Sequence, residues 1–339
     1  MQKYPIVGLD VSKQTLDVFL LEASDTHRSI TVRNSEAGFR KLQQWLAPYP
    51  VEGMTVCLEA TNVYSVAVST FFYEQQATVY LANPSQVAAY MRTELRRVKT
   101  DTADAESIAH FAVAVGHRLR PWQPMPEQYQ ELRDLVRYLH ELTRSRARVK
   151  NRREKSRYLT SAAASVIKGW LVKEIQFYDR SIKAIRSAIQ QCLDRYPDLS
   201  GRYNLLRSAP GIGPISAVTI MAEIPNMQQF ASAKQLAAYA GLTPRIRHSG
   251  QHQPASQSIS KIGNAQLRSI CYMAALTAKK HNAPLNAFAH RLQIEHHKKP
   301  KVVVIAIARK LLHLLYAMEK HQKPFIANYQ NSQLIAGTI

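Results

Sequence analysis

The feature that most narrows the fold is a change of hydrophobic period near Gln128. Before it, short strand-like and helical runs alternate. Tyr4–Leu9, Thr15–Leu21 and His27–Val32 read as three strands, the first two parted by the polar turn Ser12-Lys13-Gln14. Ser35–Leu46 has helical spacing through Phe39, Leu42, Trp45 and Leu46, with Ser35 placed to cap its start. Met54–Leu58 and Thr78–Leu81 read as further strands, with a helix over Val63–Glu74 between them. One helical stretch runs from Pro84 to about Arg97 and another from about Thr100 to Val115, before Pro121, Pro124 and Pro126 punctuate the exit.

The order strand-strand-strand-helix-strand-helix-strand-helix predicts an RNase H-like (RuvC-like) α/β domain over residues 1–122: a three-strand meander continued by crossover strands. After it, Leu132, Leu135, Leu139, Leu142 and Val149 fall on 3-and-4 spacing, with Arg146 where an apolar residue would complete the row. Leu171, Ile175, Tyr178, Ile182, Ile185, Ile189 and Cys192 repeat that spacing, so residues 126–198 are expected to form two coiled-coil helices. Pro197 and the run Asp198-Leu199-Ser200-Gly201 read as the turn that ends them. A mostly α-helical C-terminal domain is expected over 199–339.

Charge excludes several functions. Net charge is +21, yet residues 1–110 hold ten Lys and Arg against twelve Asp and Glu, leaving +23 for the remainder. After Glu223 only Glu295 and Glu319 are acidic. Such a field calls for a polyanion. The longest apolar runs, such as Val302–Ala308, are far short of the ~20 residues that span a bilayer. Cys57, Cys192 and Cys271 form no CxxC pair, and the N-terminus lacks a basic segment followed by an apolar one. The expectation is a cytoplasmic, nucleic-acid-acting protein without a membrane partner. Arg144, Arg146, Arg148, Lys150, Arg152, Arg153, Lys155 and Arg157 crowd one segment that holds a single acid, which reads as a nucleic-acid-contacting helix.

Four acids fit the active site of the expected fold. Asp10 and Glu59 end neighbouring strands, and Asp101 and Asp104, spaced i, i+3, share a helix face beside the first strand. Carboxylates this close repel, and two Mg²⁺ ions roughly 4 Å apart would relieve that while clamping both oxygens of a phosphodiester. Each residue has a plainer reading: Asp10 as a turn residue, Glu59 as a cap, Asp101 and Asp104 as first-turn acids favoured by the helix dipole.

In the basic C-terminal part, Pro210-Gly211-Ile212-Gly213 sits between helical patterns and reads as a helix-hairpin-helix turn, with Gly211 and Gly213 exposing amides to a phosphate. A tight interhelical turn is the alternative. Further on, Ser249 is flanked by Arg245, Arg247 and His248 and followed by Gly250, which suits attack on a phosphate. Ser256, Ser258 and Ser260 compete for that role. Lys261 and Arg268 are the next cations towards the following helix.

Several motifs occur in order: Gly8-Leu9-Asp10, Leu58-Glu59-Ala60-Thr61, Asn83-Pro84, Lys99-Thr100-Asp101-Thr102-Ala103-Asp104-Ala105, Pro210-Gly211-Ile212-Gly213 and Ala240-Gly241-Leu242-Thr243-Pro244-Arg245. Over essentially the whole chain the sequence resembles the DEDD transposases of the "one-ten" insertion-sequence family, also called bridge-RNA-guided recombinases. The resemblance implies a RuvC-like domain joined through a coiled coil to a C-terminal transposase domain. It implies a DEDD quartet of Asp10, Glu59, Asp101 and Asp104 that binds Mg²⁺, with Mn²⁺ as a substitute in vitro. It also implies a serine nucleophile at Ser249, linked covalently to DNA and completed by the metal site of another protomer. Its partners would be donor and target DNA, a structured non-coding guide (bridge) RNA, and further copies of the chain in a tetramer (a dimer of dimers). The setting would be a bacterial cytoplasm, at the nucleoid when active. Alignment beyond Gly250 is loosened by the Gln- and Ser-rich run 251–258. Two rivals stand beside this reading: a metal-dependent Holliday-junction-type nuclease without a covalent serine intermediate, and a non-catalytic RNA-binding scaffold. Four retained carboxylates argue against the scaffold, since a surface for polyanions would discard negative charge.

Overall fold

The structure is a computed structural model, and it describes residues 5–22, 26–60, 63–93, 101–244 and 258–327, without the side chains of Asp101, Thr102 and His117. Contacts divide the chain into two units, Met1–Pro124 and Met125–Ile339.

The N-terminal unit is built on strands β1 (Ile6–Val11), β2 (Thr15–Leu21), β3 (His27–Arg33), β4 (Thr55–Glu59) and β5 (Thr78–Ala82). Helices α1 (Glu36–Leu46), α2 (Tyr64–Glu74), α3 (Pro84–Thr93) and α4 (Asp101–Val115) accompany them. The strand order is β3-β2-β1-β4-β5. β1, β2 and β3 form the antiparallel meander, while β4 and β5 continue it in parallel with β1. The β1–β2 turn is closed by Ser12, whose Oγ accepts from the amides of Gln14 and Thr15 at 3.2 and 2.8 Å. Ser35 caps α1 as its sequence position suggests, accepting from the Gly38 amide.

A strand alternates its side chains between two faces, and the central strands β1 and β4 are covered on both, so they are apolar on both, whereas edge strand β3 is polar and largely exposed. Val7, Leu9, Val56, Leu58 and Val79 lie with Leu42, Leu46, Val68 and Phe72 of α1 and α2. Ile6, Phe19, Leu21, Cys57 and Ala82 lie with Val87, Ile108, Ala109 and Ala112 of α3 and α4. This mixed five-stranded sheet with its helices fits an RNase H-like α/β domain.

The C-terminal unit is helical: α5 (Glu127–Lys155), α6 (Ala164–Arg195), α7 (Pro197–Arg207), α8 (Pro214–Glu223), α9 (Ala233–Tyr239), α10 (Ala265–His281), α11 (Ala283–Ile294) and α12 (Pro300–His321). α5 packs along α6, and Leu132, Val136, Leu139 and Leu142 of α5 join one core with Leu206, Met221, Leu267, Ile307 and Leu311. Arg146, standing where the apolar row is interrupted, reaches Asp179 of α6 at 2.9 Å. One sequence expectation is corrected here: Pro197 and Asp198–Gly201 are not a turn but the start of α7. Proline is pre-set for a first helical turn, where its missing N–H costs nothing, so it begins this helix instead of closing the region before it. Among the described residues no helix is long and apolar enough to cross a membrane.

Candidate active site and nucleic-acid interface

The candidate active site follows from one close approach. Ile6, Gly8 and Asp10 share a face of β1. α4 lies on that face so tightly that a Cβ at Gly8 would come within 2.1 Å of the Ala105 carbonyl oxygen and 2.6 Å of the Ala109 amide. Ile6 is clustered with Ile108 and Ala112, later on α4, so the path from Ile6 to Asp10 leads back towards the first turn of that helix, which holds Asp101 and Asp104. On the neighbouring strand, Leu9 pairs in register with Leu58, and Glu59 is the last residue of β4, two positions beyond Cys57 on the α4 side. Asp10, Glu59 and the first turn of α4 therefore come to one end of one sheet face. Burial, together with the charge of Glu59, pushes the Cys57 thiol up to about 12, which leaves it inert.

The donor set is made of carboxylate oxygens, which suit hard cations such as Mg²⁺ or Mn²⁺. Oδ1 of Asp104 is buried and has no hydrogen-bond partner among the described residues. Among the described residues no three His, Cys, Asp or Glu side chains are close enough to hold an ion, and the side chain of Asp101 is outside them. The match thus rests on donor chemistry and the orphaned Asp104 oxygen.

Asp17 is an acid that sequence reasoning passed over. It stands directly opposite Asp10 in the β1–β2 register and accepts a hydrogen bond from Thr31 Oγ1 on β3. Its signal was available, because a tight turn at Ser12–Gln14 fixes the register of the two strands.

The basic residues fall into two groups. Arg144, Arg148, Arg152, Arg153 and Arg157 are all exposed. Arg144 donates to Gln266 Oε1 at 2.6 Å, and Arg152 pairs with Glu174 at 3.0 Å. Arg148, Arg153 and Arg157 enter no ion pair among the described residues. At this end of the helix pair, Tyr158 and Trp170 are exposed, with Lys173 Nζ 4.8 Å above the Trp170 ring; nothing in the sequence period singled them out.

The second group serves the backbone. Gly211 has φ +108°, and a Cβ there would meet Ala278 at 2.5 Å, so this glycine lets the α7–α8 turn pack on α10. Gly213 caps α8 and has open space where a Cβ would be. Arg268 Nη1 donates to the carbonyls of Ala240 and Lys261 at 3.2 and 3.0 Å, and the exposed Lys261 has φ +56°. Arg245, Arg247 and Ser249 lie outside the described residues, as do Ser256 and the rest of 245–257. The two ends of that segment are joined, since Pro244 bridges Ile259 and Ser260 N donates to the Thr243 carbonyl at 2.8 Å. Buried Glu223 accepts from Asn264 Nδ2 at 2.7 Å and from Arg137 at 3.2 and 3.3 Å. Burial pushes its carboxyl up, but those hydrogen bonds and the charges of Arg137 and Arg133 outweigh burial and hold it below the usual range. Sequence reasoning noted Glu223 only as the acid after which two more, Glu295 and Glu319, remain.

Two family models match: one for transposases of the DEDD IS110 type over residues 7–159, and one described as "Transposase IS116/IS110/IS902 family" over residues 203–290. The chain belongs to the IS110 family of DEDD transposases. It is similar to the pilin gene-inverting protein of Moraxella bovis, 29% identical over 322 residues that cover 94% of this chain and 97% of that one. It is also similar to a probable family 20 transposase of Pseudomonas aeruginosa, 26% identical over 341 residues that cover 92% and 96%. Among solved structures, RuvC of T. thermophilus in complex with Holliday junction substrate matches 35% of this chain and 99% of that chain, at 15% identity and a TM-score of 0.28. As a member of this family the chain is an enzyme that cuts and rejoins DNA, and the family's carboxylate site implies a divalent metal.

Proposed function

We propose that this transposase is an RNA-guided DNA recombinase that exchanges strands between donor and target DNA through a serine-linked intermediate. One observation carries the metal half of the reading: carboxylates from β1, β4 and the start of α4 belong to one end of a sheet face, where the buried Asp104 Oδ1 has no partner among the described residues. The covalent half is supported by the family's serine, which matches Ser249 between Arg247 and Gly250.

Asp10, Glu59, Asp101 and Asp104 would hold two Mg²⁺ ions, or Mn²⁺ in vitro, which when bound neutralise the phosphate and assist the bond that breaks. Ser249 Oγ attacks the phosphorus and gives up its proton to solvent. The P–O bond to the departing strand breaks, and that strand leaves with the electron pair and takes up a proton as a free hydroxyl. Arg245 and Arg247 neutralise charge on the phosphate during attack. The hydroxyl of the exchanged strand then attacks the phosphoserine, forms the new phosphodiester and returns Ser249 to its hydroxyl form. Sequence choice falls to pairing with a guide RNA, so the chain reads backbone and shape through the α5 cations and the 210–213 turn, read as a helix-hairpin-helix. The 126–198 helices, read as a coiled coil, join the two ends of each protomer, and a tetramer supplies each serine with another protomer's metal site.

A strand-trapped substrate tests this. Denaturing gels are expected to show a protein–DNA adduct that peptide mapping places on Ser249. Ser249→Ala should abolish exchange while fold and RNA binding persist, and Ser256→Ala and Ser258→Ala should retain exchange. Metal-dependent cleavage without any adduct would replace the proposal by a plain junction nuclease.

A further inference from the structure

At the carboxylate end of the sheet, the row of polar side chains continues one strand past the quartet. Asp10 pairs in register with Asp17 of β2, and Asp17 pairs with Thr31 of β3. On the other flank of β1, Glu59 follows Leu58, the register partner of Leu9, and so comes beside Asp10. Thr31, Asp17, Asp10 and Glu59 therefore cross four neighbouring strands on the sheet face that carries α4. Residues directly opposite in an antiparallel pair hold their Cβ atoms roughly 5 Å apart, and like charges there destabilise the pair. Asp10 and Asp17 repel each other unless positive charge comes to this face.

The carboxylate of Asp17 is fixed on one side and open on the other. Thr31 Oγ1 donates to its Oδ1 at 2.5 Å. Among the described residues its Oδ2 accepts no hydrogen bond and Asp17 enters no ion pair. The residue is half-buried, and an open depression of about 200 Å³ lies beside it, lined by Asp17, Val18, Ser29, Ile30 and Thr31. Asp17, Ser29 and Thr31 give that space polar walls, and it has room for several waters. Asp10, Asp17 and Glu59 are not close enough together to hold one ion among them. Mg²⁺, however, dehydrates reluctantly and keeps several waters when one or two carboxylates bind it. A carboxylate one strand away from a ligand can accept from that water.

We propose that Asp17 is a positioning residue of the metal site. Held by Thr31, it accepts from the hydration water of the cation that Asp10 binds, and its charge raises the affinity of the site for that cation. This rests on the reading of Asp10, Glu59, Asp101 and Asp104 as metal ligands. The sheet itself has no use for the charge, because an asparagine there would still accept from Thr31 through its amide oxygen.

Mn²⁺ binding to the full chain, followed by the electron paramagnetic resonance of the free ion, reads the site without any reaction. Asp17→Asn is expected to weaken Mn²⁺ binding about tenfold, as for loss of a group that supports a metal ligand. Its Tm should be equal or higher, since a repulsion is relieved. Thr31→Val keeps the charge but releases the carboxylate, so it should weaken binding by a smaller factor. Glu52→Gln removes one charge from the exposed turn before β4, at the far end of that strand from Glu59, and should leave binding unchanged. In strand cleavage by Asp17→Asn, the Mg²⁺ midpoint should rise about tenfold while the rate at saturating Mg²⁺ falls less. Asp10→Asn is the reference for the quartet: if it binds Mn²⁺ as wild type does, the quartet reading fails and this proposal with it. If Asp10→Asn loses Mn²⁺ while Asp17→Asn binds it normally, the quartet stands and Asp17 is only a sheet residue. An equal loss in Glu52→Gln would reduce the effect to distant charge and overturn the proposal. Should Asp17→Asn fail to fold, the variant at exposed Thr31 decides: weaker Mn²⁺ binding supports the proposal and unchanged binding overturns it.

Discussion

The two units hold their charged groups in opposite ways. In the N-terminal unit, Asp10 and Glu59 stand at the ends of buried strands, and Asp104 sits on a helix pressed against β1 until Gly8 has no room for a side chain. In the C-terminal unit, Arg148, Arg153 and Arg157 extend from an exposed helix surface on long, rotatable stems. On the proposed function, the difference follows from what each group does. Phosphoryl chemistry needs oxygens fixed in place, and a small displacement is felt strongly in rate. Counter-charge for a polyanion needs only to be near, and each cation adds a similar increment. Damage to the first arrangement should therefore be steep, and damage to the second graded.

Gly8→Ala gives the steepest test. The added methyl would overlap the Ala105 carbonyl, and an overlap with backbone forces α4 away from β1. Overpacking of this kind costs roughly 1–3 kcal/mol or more. Strand cleavage should vanish and thermal unfolding should move to lower temperature. Cleavage at the normal rate would show that the carboxylates tolerate a displaced helix, and the contrast between the units would fail.

Asp101→Asn separates chemistry from stability within the same helix turn. Asn caps a helix about as well as Asp, so Tm should hold. Metal-dependent cleavage should fall by at least ~10², as for a lost group at the reacting centre. Cleavage within a few-fold of wild type would make Asp101 a cap and remove it from the quartet.

The legibility of the sequence divides along the same line as the two units. The order of elements along the N-terminal unit could be read because each element carries its own period: alternation in Thr15–Leu21, helical spacing in Ser35–Leu46, and a capping serine where one is needed. Asp10 and Glu59 could be read because strand ends follow from that period. Asp17 was passed over because its meaning lies in pairing with Asp10, a relation between strands that no single run displays. In the C-terminal unit, Pro197 was misread as a stop, since proline breaks a helix interior yet suits a first turn, and only the following packing of Leu199 and Leu206 tells which applies. Glu223 was illegible for a related reason. Its hydrogen-bond partners, Arg137 and Asn264, are both distant in sequence.

Glu223 refines the comparison, because it is a fixed charge inside the unit of mobile ones. Its carboxyl is held below the usual range when folded, so the unfolded chain binds its proton first as pH drops. The stabilisation is complete above about 4.5, the ordinary carboxylate value, and is lost as pH falls through the lowered folded value. Glu223→Gln should lower Tm at neutral pH, by an amount equivalent to roughly 1–3 kcal/mol for a charged hydrogen bond lost. The gap from wild type should then narrow below pH 4.5, measured by calorimetry from pH 3 to 7. A constant gap across that range would mean that the carboxylate charge contributes nothing at this position.

Arg152→Ala and Arg153→Ala make the gentlest test, and the two residues are not equivalent. Arg153 is exposed with no ionic partner among the described residues, so its removal should subtract about one unit from the salt slope of nucleic-acid binding. Arg152 is held 3.0 Å from Glu174, and both side chains are well exposed. A pair in that setting is worth about 0–1 kcal/mol, so Arg152 can leave Glu174 for a phosphate at little cost. Its removal also frees the Glu174 carboxylate to repel the polyanion. Arg152→Ala should therefore weaken binding at low salt at least as much as Arg153→Ala, and the excess should vanish as salt screens Glu174. Glu174→Gln in the Arg152→Ala background should recover that excess and nothing more. If the salt slope is unchanged in both single variants and in the double variant, this face of α5 is merely solvated. The graded response expected of the C-terminal unit would then have to come from its other helices.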